Sequence, residues 1–287
     1  MNLARGTQTR ATETRTDDTA RTMSGVADEL AHLEERRSMT AVALTVVMPA
    51  FNEAEILESS VKSVVDGLRK RGEAFELIVV ENGSTDETPA IADAIAASEP
   101  EVRVEHRVDA DYGRALRAGL LTARGAAVVN FDTDFFDLDF LAAAVTRVLE
   151  PNGPAIVVGS KRGEGASDER APLRKFATAV FSGVLRVGFG LHVSDTHGIK
   201  AMRRDAVEPF ARACKSGQDL FDTELILRVE RAGLNTSEIP VGVTELRPAR
   251  TSIMKRVPRT LVGLVRLRIA LSRESFSSGS AARDRNG

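Results

Sequence analysis

The segment VVNFDTDFFD, residues 128–137, joins a short apolar run to a cluster of acids and is the most informative part of the chain. The run is broken only by Asn130 and ends at Asp132, Thr133 and Asp134. Two unit charges about 4 Å apart repel by roughly 4 kcal/mol at an effective dielectric constant near 20. A chain tolerates this repulsion where the acids are open to water or where a cation lies between them. The rest of the sequence indicates which of the two applies.

The apolar run belongs to an alternation of strands and helices that begins at Ala41. The pattern predicts strands over 41–49, 75–81, 102–106, 126–131 and 155–160, and helices over 55–71, 84–98, 112–123 and 138–149. Nearly continuous apolar strands that alternate with helices are typical of an α/β fold whose mostly parallel central sheet carries helices on both faces. Ligands of such Rossmann-like sheets bind beyond the carboxyl ends of the strands. We therefore expect the loops after the five strands to converge on one edge.

Composition and charge exclude several classes of protein. The 287 residues are 43% hydrophobic, which suits one large globular domain or two small ones. A formal net charge of −2 argues against nucleic acid as a partner. The only cysteine, Cys214, excludes an internal disulfide framework and favours a reducing compartment, so we expect a cytoplasmic protein. No stretch approaches the roughly 20 apolar residues of a membrane span.

Polar residues in the loops after the second and third strands suit a nucleotide, although each loop also has a simpler interpretation. Glu81 can accept hydrogen bonds from a base or a ribose hydroxyl, or ENGSTD (81–86) is only a turn that caps the next helix. Gly113 opens a helix that carries Arg114 and Arg117, and helix N-termini attract phosphate. An ordinary amphipathic helix with exposed arginines has the same pattern. The fingerprint G-x-G-x-x-G is absent, which weakens a nicotinamide or flavin interpretation.

The acids at residues 132–139 suit a divalent metal. Hard oxygen ligands on neighbouring residues are typical of Mg²⁺ or Mn²⁺ sites that also bind substrate phosphates. The alternative is a solvated loop in which Asp137 or Asp139 caps the next helix. That alternative accounts well for one acid only. We therefore predict that Asp132 and Asp134 bind a metal together with a diphosphate.

Seven segments occur in an informative serial order: VVMPAFNE (46–53), VVENGSTDET (79–88), YGRALRAGL (112–120), FDTD (131–134), VVGSKR (157–162), DTHGIKAMRR (195–204) and FDTELILR (221–228). This order resembles glycosyltransferase family two, which has the GT-A fold, and is most similar to its dolichol- and polyprenol-phosphate mannose and glucose synthases. The resemblance covers roughly residues 44–247. It implies a nucleotide-diphosphate-sugar donor such as GDP-mannose or UDP-glucose, Mg²⁺ or Mn²⁺ as cofactor, and inversion at the anomeric carbon.

The resemblance also assigns residues to parts of the site, position by position. The donor-binding set is Pro49, Ala50, Asn52, Glu53, Glu81, Asp109, Gly113, Arg114, Asp132 and Thr133. The metal ligands are Asp132 and Asp134, and the catalytic set adds Lys161 and Arg174 to them. The acceptor-binding set is Lys161, Arg174, Asp195, Thr196, Lys200 and Asp222. Two positions depart from the family pattern. Glu81–Asn82 replaces a usual pair of aspartates, which leaves the base open, and Phe136 replaces a glutamine that often assists the metal, for which Asp137 is a candidate substitute.

We therefore predict a metal-dependent transferase that moves mannose or glucose to polyprenyl phosphate. A phosphate acceptor is already an anion and needs no general base, but cations must hold it against the charged donor. Lys161, Arg162, Arg174 and Lys175 flank the segment RGEGASDER and suit this task, unless they are ordinary surface charges. Two alternatives stay open, namely a soluble hydroxyl compound or glycan as acceptor, and a non-catalytic nucleotide-sugar-binding protein.

The two ends of the chain are expected to lie outside the glycosyltransferase domain of residues 41–247. Residues 1–40 are rich in threonine and charge, and they predict a disordered N-terminal extension. Residues 248–287 predict a basic amphipathic helix and tail, since 247–273 contain eight basic residues and no acid. Such a segment can lie on an anionic membrane surface, which would make the protein peripheral at the inner face of the plasma membrane. Packing on the domain or on a second subunit, as in a homodimer, is the alternative.

Overall fold

The computed structural model describes residues 42–160, 198–242 and 262–272, together with residues 183, 185, 188, 190, 191, 193 and 196. Its strands are β1 (Leu44–Ala50), β2 (Phe75–Asn82), β3 (Val102–Arg107), β4 (Ala127–Asn130), β5 (Ile156–Ser160), β6 (Lys200–Arg203) and β7 (Thr236–Pro240). Its helices are α1 (Leu57–Arg71), α2 (Thr88–Ser98), α3 (Tyr112–Thr122), α4 (Leu138–Leu149), α5 (Arg204–Ala213), α6 (Phe221–Arg231) and α7 (262–272), with a 3₁₀ turn at Gln218–Leu220. The predicted N-terminal extension and most of the predicted C-terminal segment lie outside the described residues.

The five predicted strands and four predicted helices form, with ends that differ by at most four residues from those expected. The seven strands make one sheet in the order β3-β2-β1-β4-β6-β5-β7. All neighbouring pairs are parallel except those of β6, which is antiparallel to both β4 and β5. The prediction of a mostly parallel central sheet with helices on both faces is confirmed.

The reversal of β6 brings its first residue to the edge where the other strands end. Lys200 is paired with Asn130, the last residue of β4, and with Val158 near the end of β5. β5 and β4 both run against β6, so Ser160 also lies at this edge. β6 and β7 lie beyond the part of the chain in which the apolar pattern predicted strands.

Two apolar cores cover the two faces of the sheet. Alternate side chains of each strand point to opposite faces, so β1 gives Val46 and Met48 to one core and Val47 to the other. Helices α1, α2 and α4 pack on the first face, and α3, α5, α6 and α7 pack on the second. Burial on both faces explains why the strands are apolar at nearly every position.

Helix α7 packs on the domain through one face only. Leu264, Leu267 and Leu271 are buried in the second core. The opposite face carries Val262, Val265 and Ile269, which are 51%, 60% and 48% exposed. The alternative that this segment packs on the domain is therefore confirmed for residues 262–272. None of the helices in the described parts of the chain combines the length and hydrophobicity that a membrane span requires.

Candidate active site

The loops after the first four strands meet at one edge of the sheet, as predicted. β1, β2, β3 and β4 are mutually parallel, so their carboxyl ends lie side by side. Hydrogen bonds join each loop to the next, from the β1 loop to the β2 loop, from β2 to the start of α3, and from α3 to the acids after β4. The loop after β5 begins at residue 161 and lies outside the described residues.

Hydrogen bonds from main-chain N–H groups hold the loops after β1 and β2 together. The Asn52 N–H donates to Ser84 Oγ at 3.0 Å, and Asn52 Oδ1 accepts from the Thr85 N–H at 2.8 Å. The Glu53 N–H donates to Thr88 Oγ1 at 2.8 Å. Asn52 has a φ of 54°, in the left-handed region that asparagine tolerates better than most residues. Asn52 and Glu53, which are predicted to bind the sugar donor, therefore lie in two loops that hydrogen bonds hold together. They come directly after the buried Pro49 and Ala50 at the end of β1.

Glu81, predicted to contact the nucleoside, is only 3% exposed and bonds within the protein. Its Oε1 accepts from the Ser84 N–H at 2.6 Å, and its Oε2 lies 3.2 Å from His106 Nδ1. The other ring nitrogen of His106 lies 2.9 Å from Asp93 Oδ1. The hydrogen bond to Asp93 raises the pKa of His106 and Glu81 adds to this effect, while partial burial opposes it. The sequence analysis did not identify His106, because only the β2–β3 register places it opposite Glu81.

The turn before α3 is built around Asp111, which the sequence analysis also missed. Asp111 Oδ1 accepts from the Arg114 N–H at 2.9 Å and thereby caps α3, and it also accepts from the Gln218 N–H at 2.6 Å. Its own N–H donates to Asn82 Oδ1 at 2.9 Å. A Cβ on Gly113 would lie 2.6 Å from the Gln218 carbonyl oxygen, so this glycine permits close packing of the 3₁₀ turn. An aspartate directly before a helix is a capping signal that the sequence does display.

A pocket of about 290 Å³ opens beside this turn and is lined by His106, Arg107, Val108, Asp109 and Arg114. It contains two of the predicted donor residues. Arg114 is exposed and lies 3.6 Å from Asp109, measured between Nη1 and Oδ2. Arg117, by contrast, donates to the carbonyl oxygens of Ala211 and Arg212 at the end of α5, so it stabilises that helix terminus.

The acids after β4 form a tight turn that is anchored on both sides. The Asp132 N–H donates to the Phe135 carbonyl at 3.1 Å, and Asp132 Oδ1 accepts from the Tyr112 hydroxyl at 3.3 Å. The buried Thr133 accepts at its carbonyl oxygen from Ser60 Oγ of α1 at 2.6 Å. Asp132 is half-buried and Asp134 is exposed.

Asp137 has a different task from the two acids before it. Its Oδ1 accepts from the Phe140 N–H at 2.8 Å and caps α4. The capping interpretation is thus correct for Asp137, and it does not extend to Asp132 or Asp134.

The carboxylates of Asp132 and Asp134 fit a magnesium or manganese ion. Both ions prefer hard oxygen ligands, and Mg²⁺ commonly keeps several waters while one or two carboxylates and substrate phosphates complete its shell. Within the described ranges no group of three or more His, Cys, Asp or Glu residues is arranged to hold a metal. A site made from Asp132 and Asp134 would therefore leave most coordination positions for phosphate oxygens and water.

Three of the predicted acceptor residues lie in a buried polar cluster of β6 and α6. Lys200 Nζ is 3.1 Å from Asp222 Oδ1, and both side chains are at most 1% exposed. Lys200 also donates to the Gly198 carbonyl at 2.6 Å, whereas neither carboxylate oxygen of Asp222 has a partner with hydrogen-bond geometry among the residues that the structure describes. We regard the contact as an ion pair, because its distance is short and its two groups carry opposite charge. Thr196 Oγ1 lies 3.0 Å from Thr223 Oγ1.

Other acceptor-side residues have structural partners or lie outside the described residues. Glu224, next to this cluster in sequence, accepts from the N–H groups of Lys215 and Ser216 and from Arg228. Lys161, Arg174 and Asp195 belong to the parts of the chain that the structure does not describe.

Residues 45–210 match Glycosyl transferase family 2. Glycosyltransferase AglD of Haloferax volcanii is 35% identical over 216 residues, which cover 72% of this chain but only 34% of AglD. A dolichyl-phosphate β-glucosyltransferase of Trichomonas vaginalis is 28% identical over 225 residues, 74% of this chain and 69% of that protein. Polyprenol monophosphomannose synthase of Mycolicibacterium smegmatis is 28% identical over 211 residues, 70% of this chain and 77% of that protein.

Solved structures share the fold. Glucosyl-3-phosphoglycerate synthase from Mycobacterium tuberculosis, solved with Mn²⁺, UDP and phosphoglyceric acid, superposes with a TM-score of 0.56 at 24% identity, over 79% of this chain and 77% of that one. A mannosyltransferase from Pyrobaculum calidifontis, solved with GDP-Man and Mn²⁺, gives a TM-score of 0.53 at 24% identity, over 75% of this chain and 60% of that one. At these identities the likeness establishes the GT-A fold alone.

Proposed function

The chain belongs to glycosyl transferase family 2 and is a glycosyltransferase with the GT-A fold, and we propose that it moves a hexose from a nucleotide-diphosphate sugar to polyprenyl phosphate. The hexose is mannose or glucose, and the donor is GDP-mannose or UDP-glucose. The observation that carries the proposal is the turn of Asp132 and Asp134, which Ser60 and Tyr112 anchor at the edge where the donor loops meet. A turn fixed from both sides can present two carboxylates to one metal–diphosphate ligand.

In this proposal the donor lies across the ends of β1–β4. The nucleoside occupies the edge formed by the loops of Asn52, Glu81 and Asp109, and its diphosphate reaches toward Asp132. Arg114 is exposed beside the pocket and offers a cation to the phosphates. Glu81 is buried, and its carboxylate accepts a hydrogen bond from the Ser84 N–H. It therefore stabilises the β2 loop and also lies next to the position proposed for the base.

Asp132 and Asp134 would hold the Mg²⁺ or Mn²⁺ ion. The ion would neutralise the charge that the diphosphate carries away as a leaving group. The protein's contribution is to fix the two carboxylates before the donor binds. Tyr112 orients one oxygen of Asp132, and Ser60 holds the Thr133 carbonyl between the two acids. The sugar is transferred with inversion, because the acceptor anion attacks the face of the anomeric carbon opposite the diphosphate.

The acceptor is proposed from the relatives and from the charge of the chain. Two of the similar proteins are named for dolichyl phosphate and polyprenol phosphate, and this chain spans more than two thirds of each. An acceptor phosphate needs cations rather than a general base. Lys161 and Arg174 remain the predicted cations, with Asp195 and Thr196 beside the acceptor. We assign the buried pair Lys200–Asp222 to the floor of this half of the site.

Helix α7 supports a lipid substrate because it exposes an apolar stripe flanked by cations. Val262, Val265 and Ile269 face outward, and Arg266 and Arg268 are exposed beside them. Each basic residue near an anionic bilayer contributes about 1 kcal/mol of attraction. We propose that this face rests on anionic lipid at the inner face of the plasma membrane, as part of a C-terminal segment over 248–287.

The start of α7 is connected to the donor edge by packing. Gly263 packs on Leu220, so closely that a Cβ would contact that side chain. Gln218, two residues earlier, bonds to Asp111 at the start of α3. A bilayer against α7 would therefore lie near the catalytic domain, which we propose to span residues 41–247. We propose that residues 1–40 are an extension outside this domain.

The decisive experiment supplies labelled UDP-glucose or GDP-mannose, Mn²⁺ and a short-chain polyprenyl phosphate in detergent, and measures label in the organic phase. The matched acceptor control is the same polyprenol without phosphate, and 3-phosphoglycerate tests a soluble acceptor. Label in the phosphorylated lipid alone is the expected result. Transfer to the soluble acceptor only would overturn the lipid proposal, and donor binding without transfer to any acceptor would favour a non-catalytic protein.

A further inference from the structure

We propose that His106, when protonated, is a positioning residue for the donor site and makes donor affinity depend on pH. The inference rests on the proposed donor site and adds a residue that the donor motifs do not contain. His106 lies near the carboxyl end of β3, directly opposite Glu81 of β2. It forms part of the wall of the 290 Å³ pocket that also contains Arg114.

The contacts of the imidazole ring require a proton on each nitrogen. Nδ1 lies 3.2 Å from Glu81 Oε2, and Nε2 lies 2.9 Å from Asp93 Oδ1. An ionised carboxylate can only accept hydrogen bonds, so both ring nitrogens must donate if both contacts are to be bonds. Only the imidazolium form carries the two N–H groups. A neutral ring would leave one carboxylate opposite a nitrogen lone pair.

The hydrogen bond between His106 and Glu81 is the first of a series of hydrogen bonds that connects two loops of the proposed donor site. Glu81 is 3% exposed and accepts from the Ser84 N–H at 2.6 Å through its other oxygen. Ser84 Oγ in turn accepts from the Asn52 N–H at 3.0 Å. His106 therefore holds a buried carboxylate that fixes the β2 loop, and the β2 loop fixes the β1 loop. Loss of the ring proton leaves a single N–H for Glu81 and Asp93, so the hydrogen bond to Glu81 is then present only in part.

The charged groups around the ring favour its protonated form. Glu81 faces it from β2 and Asp93 faces it from α2, while Arg107, Asp109 and Arg114 line the same pocket. The hydrogen bond to Asp93 is the largest influence that raises the pKa of His106 above its ordinary value of 6.5, Glu81 adds to it, and burial opposes it. Because the pKa is raised in the ordered site, the full set of bonds exists at lower pH. It is lost as pH rises through the raised pKa.

The test measures the Kd of UDP-glucose and of GDP-mannose by calorimetry, with Mg²⁺ present, from about pH 6 to about pH 8.5. The diphosphate of a nucleotide sugar is a diester with no proton to lose in this range, so the ligand's own charge is constant. The Kd of the unmodified protein is expected to rise by about three- to tenfold across the range, which corresponds to the net contribution of one ordinary hydrogen bond. His106→Arg keeps a cation at every pH and should bind with a Kd that barely changes. His106→Gln should bind weakly at every pH.

Two further variants separate positioning from folding. Asp93→Asn removes one neighbouring carboxylate from an exposed position and should shift the midpoint of the Kd profile to lower pH. Lys70→Gln removes an exposed cation from the last turn of α1 and is the control, which should retain the unmodified profile. A Kd that does not change with pH in the unmodified protein, or an unchanged profile in His106→Gln, would overturn the inference. Failure of both sugar nucleotides to bind at any pH would overturn the proposed function and this inference together.

Discussion

The hydroxyl of Tyr112 donates to Oδ1 of Asp132 across 3.3 Å. Tyr112 is the first residue of α3, and Asp132 follows β4, so this hydrogen bond joins the helix beside the proposed nucleotide pocket to the proposed metal site. Two series of hydrogen bonds cross the proposed donor edge. One runs from Asn52 through Ser84 to Glu81, and the other runs from Asn82 through Asp111 to α3. Each link can be removed by a small substitution.

Tyr112→Phe removes only the hydroxyl that donates to Asp132. A net hydrogen bond of this kind stabilises by about 0.5–1.5 kcal/mol, so we expect kcat/KM for the donor to fall by about two- to tenfold. The half-saturating Mn²⁺ concentration should rise, because the Asp132 carboxylate is less well oriented. Metal titrations of the initial rate measure this effect. An unchanged metal requirement would show that the bond does not orient a ligand.

Asp134→Asn should abolish turnover and leave the fold intact, because Asp134 is exposed. A loss on the order of 100-fold or more in kcat is expected when a group that stabilises developing charge is removed. The Mn²⁺-dependent rise in melting temperature with a nucleotide diphosphate should also vanish, since that rise follows ligand affinity. Asp139→Asn is the matched control, since it removes an equally exposed acid five residues along. If both variants lose activity to the same extent, the loss reflects the net charge of this region and contradicts a metal-binding role for Asp134.

Gly113→Ala should disturb the turn before α3 through packing. The added Cβ would lie 2.6 Å from the carbonyl oxygen of Gln218, and neither backbone can retreat freely. Overpacking of this kind costs typically about 1–3 kcal/mol of unfolding free energy. Urea denaturation measures the change. Gly242→Ala is the control, because a Cβ there would meet no atom of the described residues within 4 Å.

The pair Lys200–Asp222 should behave as a buried ion pair. Replacing one partner, as in Lys200→Met, leaves an unpaired buried charge and should lower the unfolding free energy by about 3–5 kcal/mol. The double variant Lys200→Met/Asp222→Leu should be more stable than either single variant, since it removes both charges. Chemical denaturation of the four proteins gives the coupling energy. Additive losses would show that the two side chains do not interact.

The donor half of the fold was predictable from the sequence because its elements are regular. Five apolar runs and four helices occur in alternation, and parallel strands must end at a common edge, so the polar loops had to meet there. Asp132 and Asp134 could be singled out since capping accounted for only one acid of their cluster, and the structure assigns that cap to Asp137.

What the sequence did not predict depends on contacts between distant elements. His106 acquires its partners from β2 and α2, and Arg117 from the end of α5, so no local pattern distinguishes either from an ordinary surface residue. Likewise, a lysine is by type an exposed residue, yet the reversal of β6 buries Lys200 against Asp222. These outcomes are set by strand register and by the direction of one strand.

That direction also bears on how acceptor preference could diverge among proteins of this architecture. Since β6 runs against β5, the chain leaves the sheet at Ser160 and re-enters at Lys200 along the same border, with Val158 and Lys200 directly paired. The connection that carries Lys161, Arg174 and Asp195 thus departs from and returns to neighbouring points. Doubling the length of a connection costs only about 0.6 kcal/mol in loop-closure free energy. We therefore expect insertions or exchanges between residues 161 and 199 to change the proposed acceptor site and to leave the proposed nucleotide site unchanged.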